Sequence, residues 1–431
     1  MAAIANLDGY SIREEQIVAT CAACLALVPS EIIRSNGNVI FRKMCPLHGE
    51  QDTIISRDAA YYDSSQRAAS KSSDRAMYKA GVPFNCSTDC SFSCVGHRSD
   101  IAAVIVELLD ACNMTCPTCV AGSSPMAGNI KSLEEIHQIL EWVNSLRPMP
   151  PAIMLSGGEP TIHPEFEAIL DLVNTYKFPH VFLITNGVRI AENKDFTHKL
   201  KRIENLEVYL QFDSLDNGVL ENLRGSALSE IRKQAISNLS ESRIPMTLVC
   251  ITKKSVNDHE IADTIKYALK NENIRGVTFQ PLRFMGRTLG SNPNDHSITL
   301  DQVRTAVIES GICSPEGLRP HPSSPETICV GYIRRSDGRI VTKRVNALIT
   351  KQSSIVTPLY CLPSANQPGL KYDDLFRITI VSYLDAFSFS EAAAQRSIIA
   401  FAAGGNRMIP LDTYYLFYKA KDAVPDIVQI N

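Results

Sequence analysis

Val104-Ile-Val-Glu-Leu-Leu-Asp-Ala-Cys-Asn-Met-Thr-Cys-Pro-Thr-Cys119 is the stretch on which the fold of this chain turns. Its first half is a nearly unbroken apolar run, of the length and composition of a strand buried on both faces in a parallel sheet. Its second half is a C-x3-C-x2-C loop that begins where the strand ends. Three thiolates on one short loop, Cys112, Cys116 and Cys119, grip three corners of a [4Fe–4S] cube and leave the fourth iron open to an outside ligand. A fourth cysteine would close the cluster for electron transfer; three leave it reactive. On spacing alone, a zinc site or buried free thiols are the competing readings.

Outward from this segment, strand and helix alternate. Apolar runs at residues 103–109, 152–156, 181–185, 208–213, 246–252 and 276–281 read as buried parallel strands. Between the first two, Ser132 with Glu135 forms a capping box, and Leu133, Ile136, Ile139, Leu140, Val143 and Leu146 share one helical face. A second helix follows Pro164, with Phe166, Ile169, Leu170 and Val173 on its apolar side. Six such strands imply an α/β barrel, open or closed, or a doubly wound sheet, with chemistry at the C-terminal strand ends. The chain divides as a metal-binding segment (1–60), a connector with a second cysteine group (61–100), the α/β core (101–290) and a C-terminal α+β region (291–431). Residues 288–325, rich in Ser, Pro, Asn and Gly, read as loop.

Bulk composition excludes several classes. A net charge of −3 and no long basic run argue against a nucleic-acid surface. No secretory signal is read at residues 1–15, and no window of about 18 apolar residues suggests a membrane-spanning helix. Cysteine is the informative residue: of thirteen, nine form three groups of three. An odd total with close CxxC spacing in a large chain points to metal binding in a reducing compartment, the cytoplasm, rather than to disulfides.

The first group, Cys21-Ala-Ala-Cys24 with Cys45-Pro-Leu-His48, gives two knuckles about 20 residues apart, suited to tetrahedral Zn²⁺ or to mononuclear iron. A ribbon this small needs a metal to fold. The second group, Cys86, Cys90 and Cys94 with His97, suits an auxiliary [4Fe–4S] cluster, with His97 or a distant cysteine as fourth ligand, or a second zinc. Cys250 sits in an apolar strand and reads as core; Cys313, Cys329 and Cys361 read as small buried hydrophobes or as the missing fourth ligand.

A C-x3-C-x2-C loop at the end of a first barrel strand resembles the signature of the radical S-adenosylmethionine (radical SAM) superfamily. The resemblance implies a partial (β/α)6 barrel and a [4Fe–4S] cluster whose open iron is chelated by SAM. It also implies a 5′-deoxyadenosyl radical that takes hydrogen from substrate. Ser156-Gly-Gly-Glu-Pro160 is similar to the family's GGE motif, which implies Gly157, Gly158, Glu159 and Pro160 at the SAM amino group. Glycines there would let backbone approach the ligand, and Glu159 would accept from the ammonium. Thr185 and Asn186 in Leu183-Ile-Thr-Asn-Gly187 resemble the TNG turn. Gln211, Asp213 and Arg224 resemble the region that contacts the SAM ribose and carboxylate. Gln280 in Phe279-Gln-Pro281, with Gly286-Arg287 behind it, resembles the strand end near adenine. Thr118 stands where many members carry an aromatic residue.

More narrowly, CAAC…CPLHG, the C-x3-C…C-x2-H run, YLQFD, LVCITKKSVND, FQPLRFMGR and IVSYLDAFSF resemble the tetraether lipid synthase and its radical SAM relatives. That resemblance implies C–C bond formation on a lipid, with extra clusters and a rubredoxin-like centre; modification of a peptide or small metabolite is the alternative. Ser397 and Asp412 stand where relatives carry cluster-binding cysteines, and neither is a good ligand for such iron. The implied partners are SAM, an organic substrate and a one-electron donor such as flavodoxin or ferredoxin. A non-enzymatic iron–sulfur or zinc scaffold is the reading from another class; it has no use for the GGE-like turn.

Overall fold

The computed structural model describes residues 17–70, 97, 99, 101–126, 128–336, 338 and 374–419. It opens with four antiparallel strands in the order of the chain: β1 (Ile17–Thr20), β2 (Leu27–Ser35), β3 (Asn38–Cys45) and β4 (Gly49–Ser56). Asn36 and Gly37, at φ 51° and 78°, close a two-residue hairpin between β2 and β3, the conformation that an Asn-Gly pair favours. Alternation along β3 turns Val39, Phe41, Lys43 and Cys45 inward. A helix follows at Ala59–Ser70.

The core is the alternation read from sequence. β5 (Ala103–Glu107), β6 (Ala152–Ser156), β7 (His180–Thr185), β8 (Leu206–Gln211), β9 (Met246–Thr252) and β10 (Ile274–Pro281) lie side by side in chain order, every neighbouring pair parallel. Helices cover one face: Val104 and Val106, Ile153 and Leu155, Val181 and Leu183 pack there against Ile136, Leu140, Phe166 and Ile169. The Ser132–Glu135 capping box forms as read. The other face carries Ala103, Ile105, Met154, Phe182 and Tyr209.

The C-terminal region extends this same sheet at both edges. β11 (Leu318–Pro320), β12 (Ile328–Arg334) and β13 (Leu375–Val381) continue beyond β10, with β13 parallel to it. At the other edge β14 (Ile399–Ala403) pairs parallel with β5, and β15 (Arg407–Pro410) closes a hairpin. Arg377 of β13 reaches Glu207 of β8 at 2.9 Å. Side chains stand roughly perpendicular to a sheet, so groups three strand spacings (about 14 Å) apart would not meet on a flat one, and the sheet is curved around its inner face. The pair is buried, with Tyr209 and Thr247 also bonded to Arg377 at 3.2 and 3.0 Å.

Residues 288–325 are not simply loop. Thr299 and Gln302 form a second capping box, and the helix Leu300–Glu309 buries Val303 and Val307 against the outer core. Pro- and Ser-rich flanks mask an apolar stripe only three turns long.

Candidate functional site

The cysteine loop leaves β5 and is fixed by contacts from four other strand exits. From the β6 exit, the amides of Gly158 and Glu159 donate to the carbonyls of Leu109 (2.8 Å) and Ala111 (2.9 Å). A Cβ on Gly158 would lie 2.1 Å from the Ala111 carbonyl oxygen. These glycines therefore let the turn approach the backbone of the cysteine loop.

Glu159 bonds to the neighbouring turns as well. It is 1% exposed, and its carboxylate accepts from the Thr161 amide (3.1 Å), the Thr161 hydroxyl (2.6 Å), the Thr185 hydroxyl (2.7 Å) and the Asn186 amide (2.7 Å). Burial raises its pKa, and these donors oppose that shift. Glu159 thus welds the β6 turn to the β7 turn, while Pro160 opens the short helical turn Pro160–Ile162. Asn186 in turn donates to Asn113 Oδ1 at 2.7 Å, inside the cysteine loop.

At the β8 exit Asp213 and Arg224 form a buried bidentate pair at 2.6 and 2.7 Å, and Asp213 also accepts from the Ile251 amide at 2.9 Å. Gln211 turns its amide oxygen to Arg224 Nη1 and Nη2, at 2.5 and 3.1 Å. Burial opposes the charge on Arg224; Asp213 and the neighbouring Cys116 thiol more than restore it. Burial pushes the Cys112 thiol up to about 12 and raises Cys116, with Arg224 drawing the latter back. Met114, Leu220 and Leu228 pack around these thiols. Gln280 donates to the Tyr383 hydroxyl at 2.8 Å.

Two arginines carry more than their sequence context showed. Arg287 donates to the carbonyls of Cys116, Gly122 (3.2 Å) and Ser123 (2.7 Å), and its amide donates to Cys119 O at 3.0 Å. Gly286, at φ 57°, makes this possible: a Cβ there would lie 2.2 Å from Val120 O. FQPLRFMGR was the available signal, though it pointed to adenine rather than to the loop. Arg232, 0% exposed, donates to the Asn186 carbonyl; nothing in the sequence singled it out. Thr118, in the position of the family's aromatic residue, anchors the loop to Leu223 O at 2.9 Å.

The donor set fits an iron–sulfur cube. Three thiols stand on one loop amid apolar side chains and beside a guanidinium. They do not converge on a point as ligands of one zinc would; among the described residues, Cys21, Cys24, Cys45 and His48 do, with ligand atoms all within 4.8 Å of one another. His48 Nδ1 lies 3.6 Å from Cys21 Sγ and 3.5 Å from Cys45 Sγ. A tetrahedron with Zn–S near 2.3 Å and Zn–N near 2.0 Å has an S···N edge of about 3.6 Å, so this site is sized for one ion.

Thr20 Oγ1 donates to Ala386 O at 3.1 Å, and Lys43 Nζ donates to Phe387 O and Ala386 O, docking the ribbon on residues 384–390. Losing the ribbon metal therefore loosens this loop. Cys45→Ala should lose one zinc or iron per chain, and hydrogen exchange should accelerate at residues 386–390. Unchanged exchange there, with the metal gone, would show that the docking is independent of it.

Cys86, Cys90, Cys94 and Cys361 lie outside the described residues. His97 is described: Nε2 meets the Ser397 carbonyl at 2.9 Å, and burial lowers its pKa to about 4, keeping the ring neutral. Ser397 and Asp412 line one small pocket; Ser397 Oγ donates to Ile399 O, and Asp412 accepts from the Leu384 amide at 2.6 Å. Cys250, Cys313 and Cys329 are buried. His163 spends both ring nitrogens on backbone, at Lys131 O and the Glu165 amide. Among the described residues no helix is long and apolar enough to cross a membrane.

Comparison with known proteins agrees with this geometry. The profile of the radical SAM superfamily matches residues 106–268, and that of the HMPTM N-terminal zinc ribbon domain matches residues 15–57. The chain is 30% identical over 319 residues to 7,8-dihydro-6-hydroxymethylpterin dimethyltransferase of Methanocaldococcus jannaschii, covering 72% of this chain and 62% of the relative. It is 25% identical over 152 residues to the mycofactocin maturase MftC of Mycobacterium tuberculosis (35% and 38%). It is 24% identical over 197 residues to GTP 3′,8-cyclase of Clostridium botulinum (43% and 59%). The chain thus spans less than two thirds of the length of each of these relatives.

Proposed function

We propose, for a chain whose residues 106–268 match the radical SAM superfamily and whose residues 15–57 match a zinc ribbon domain, an enzyme that reductively cleaves SAM and abstracts hydrogen from an organic substrate. The observation that carries it is the three-thiol loop clamped from the β6, β7, β8 and β10 exits. Cys112, Cys116 and Cys119 would hold the cluster, which would supply the one-electron reduction for radical chemistry of SAM at a substrate C–H bond.

The chain's own residues position and shield. Met114, Leu220 and Leu228 keep water from the thiols, which strengthens nearby electrostatics. The Asp213–Arg224 pair holds a cation against Cys116. Gly157, Gly158, Glu159 and Pro160 set the turn that braces the loop, and Thr185 and Asn186 hold that turn. Gln211 and Gln280 offer amides at the exits of β8 and β10. This assigns the SAM-facing surface to these strand ends, in a reducing cytoplasm with a flavodoxin- or ferredoxin-type donor. An auxiliary cluster on Cys86, Cys90 and Cys94 is part of the reading; the iron content of a variant lacking all three would fall by one cluster's worth.

For the substrate, the relative that aligns over 72% of this chain carries a dihydropterin in its name. That supports a small heterocyclic metabolite; C–C bond formation on a lipid is the competing arm of the same screen. Protein purified without oxygen, reconstituted with iron and sulfide and given SAM with dithionite should form 5′-deoxyadenosine, and Cys116→Ala should not. An intact cluster that binds no SAM would overturn the assignment.

A further inference from the structure

β5 is apolar until its last residue. Glu107, 4% exposed, ends the strand on the inner face of the sheet, five residues before Cys112. A carboxylate buried there is costly unless it is paired, and its partners come from the far end of the chain. Residues Tyr414–Lys419 form a π-helical turn, a rare conformation found mostly at functional sites. Tyr414 donates its hydroxyl to Glu107 Oε2 at 2.9 Å. Lys419 Nζ pairs with Glu107 Oε1 and, at 3.1 Å, with Asp110 Oδ1, two residues before Cys112. The same turn reaches the other end of the cysteine loop, where Leu416 and Phe417 share an apolar cluster with Val120, the residue after Cys119.

This is not a surface ion pair. The Lys419 side chain is 13% exposed and that of Glu107 5%, so salt screens the charges weakly. Burial works against the ammonium, and Glu107 and Asp110 more than restore it. Anchoring alone does not call for a lysine here. Tyr414 already ties the turn to Glu107, with its ring stacked on Phe401 at 4.1 Å, and a buried ion pair contributes little net stability over apolar residues of similar volume. What Lys419 adds is a positive charge beside the loop.

A [4Fe–4S] cube on three thiolates becomes more negative by one unit when it takes its single electron from the donor. A fixed cation nearby favours that reduced form and fixed carboxylates oppose it, net charge being one of the levers that set such potentials. Glu107, Asp110 and Lys419 together carry one net negative charge, and without the lysine they carry two. At the β8 exit the Asp213–Arg224 pair cancels its own charge.

We propose that Lys419 is a positioning residue for electron entry: held by Glu107 and Asp110, its charge raises the reduction potential of the cluster on Cys112, Cys116 and Cys119 and so eases reduction by the donor. The inference rests on the radical SAM reading and adds to it a residue that sets the cluster's potential.

Full-length protein is reconstituted without oxygen and poised at fixed potentials with redox mediators. Electron paramagnetic resonance follows the reduced-cluster signal that SAM alters. Lys419→Met should move the midpoint to more negative potential, lowering the reduced-to-oxidised ratio at a fixed potential roughly three-fold or more. Lys419→Arg, which keeps the charge, should stay near wild type. Asp110→Asn removes a carboxylate, leaves Lys419 paired with Glu107, and should move the midpoint the other way. A merely structural bridge would be loosened alike by both charge-removing variants and would not give opposite signs. Iron content and circular dichroism report loading and folding; should Lys419→Met fail them, the direction of the shift in Asp110→Asn decides. A midpoint unmoved in Lys419→Met, or shifts of one sign in both charge-removing variants, overturns the inference and leaves the radical SAM reading standing. No SAM-responsive signal from iron-loaded wild type overturns that reading and this inference with it.

Discussion

Gly158→Ala will leave the cysteine loop unable to hold its cluster. The added Cβ would sit 2.1 Å from the Ala111 carbonyl oxygen, and 2.5 Å from both the Ala111 carbonyl carbon and the Asp110 carbonyl oxygen. Even close C–H···O contacts keep carbon and oxygen about 3.3 Å apart, so the turn and the loop must separate by roughly an ångström. Every partner is backbone, and no side chain can swing aside. Cys112 follows Ala111 directly, so the displacement is delivered to the first ligand. Misplacement on this scale costs about a hundred-fold where geometry sets the chemistry. Iron content after reconstitution should fall well below half of wild type, and 5′-deoxyadenosine formation by about two orders of magnitude. The outer core is untouched, and overpacking costs about 1–3 kcal/mol, so the variant should stay folded by circular dichroism. Wild-type iron content would show that the two loops can part without cost.

Arg224→Met will be among the most destabilising single changes in the barrel. It strands the Asp213 carboxylate, 1% exposed, without its bidentate partner. Breaking one side of a buried pair costs about 3–5 kcal/mol, because the remaining charge has lost both water and counterion. Asp213 also sits at φ 63°, left-handed backbone that a non-glycine residue holds only when its surroundings insist. The pair and the Ile251 amide supply that insistence. Denaturant unfolding should show the full loss in Arg224→Met. The double variant with Asp213→Asn, which removes the stranded charge, should recover part of it, and the cycle isolates the coupling. A loss below about 1 kcal/mol in Arg224→Met would mean that water or a neighbouring cation compensates Asp213.

The barrel was legible because parallel strands buried on both faces read as short apolar runs. All six proposed runs begin and end within two residues of the observed strands, and β6 and β9 match at both ends. The thiol groups at Cys112–Cys119 and Cys21–His48 were legible because their ligands lie close in sequence. What sequence hid was long-range. Arg287 reaches back about 170 residues to Cys116, and Glu159 ties its own turn to Thr185 and Asn186. Neither direction is encoded in a motif, since a conserved-looking Glu serves a ligand or a neighbouring turn with equal chemistry. The placement of β13 and β14 on opposite sides of the six-strand core was hidden for the same reason: pairing partners about 100 and about 300 residues apart leave no local periodicity.

That edge pairing sets a timetable for synthesis. β5 acquires its outer partner only when β14 has been made, almost 300 residues later. At the roughly 5–20 residues per second at which ribosomes work, this takes about 15–60 seconds. Through that interval the strand leading into the cysteine loop has an unpaired edge, a template for wrong pairing. The nascent chain thus has its iron ligands made and reachable before the last strands close the sheet. A cell that delivers iron and sulfur promptly can load the loop in that interval, before the sheet is complete.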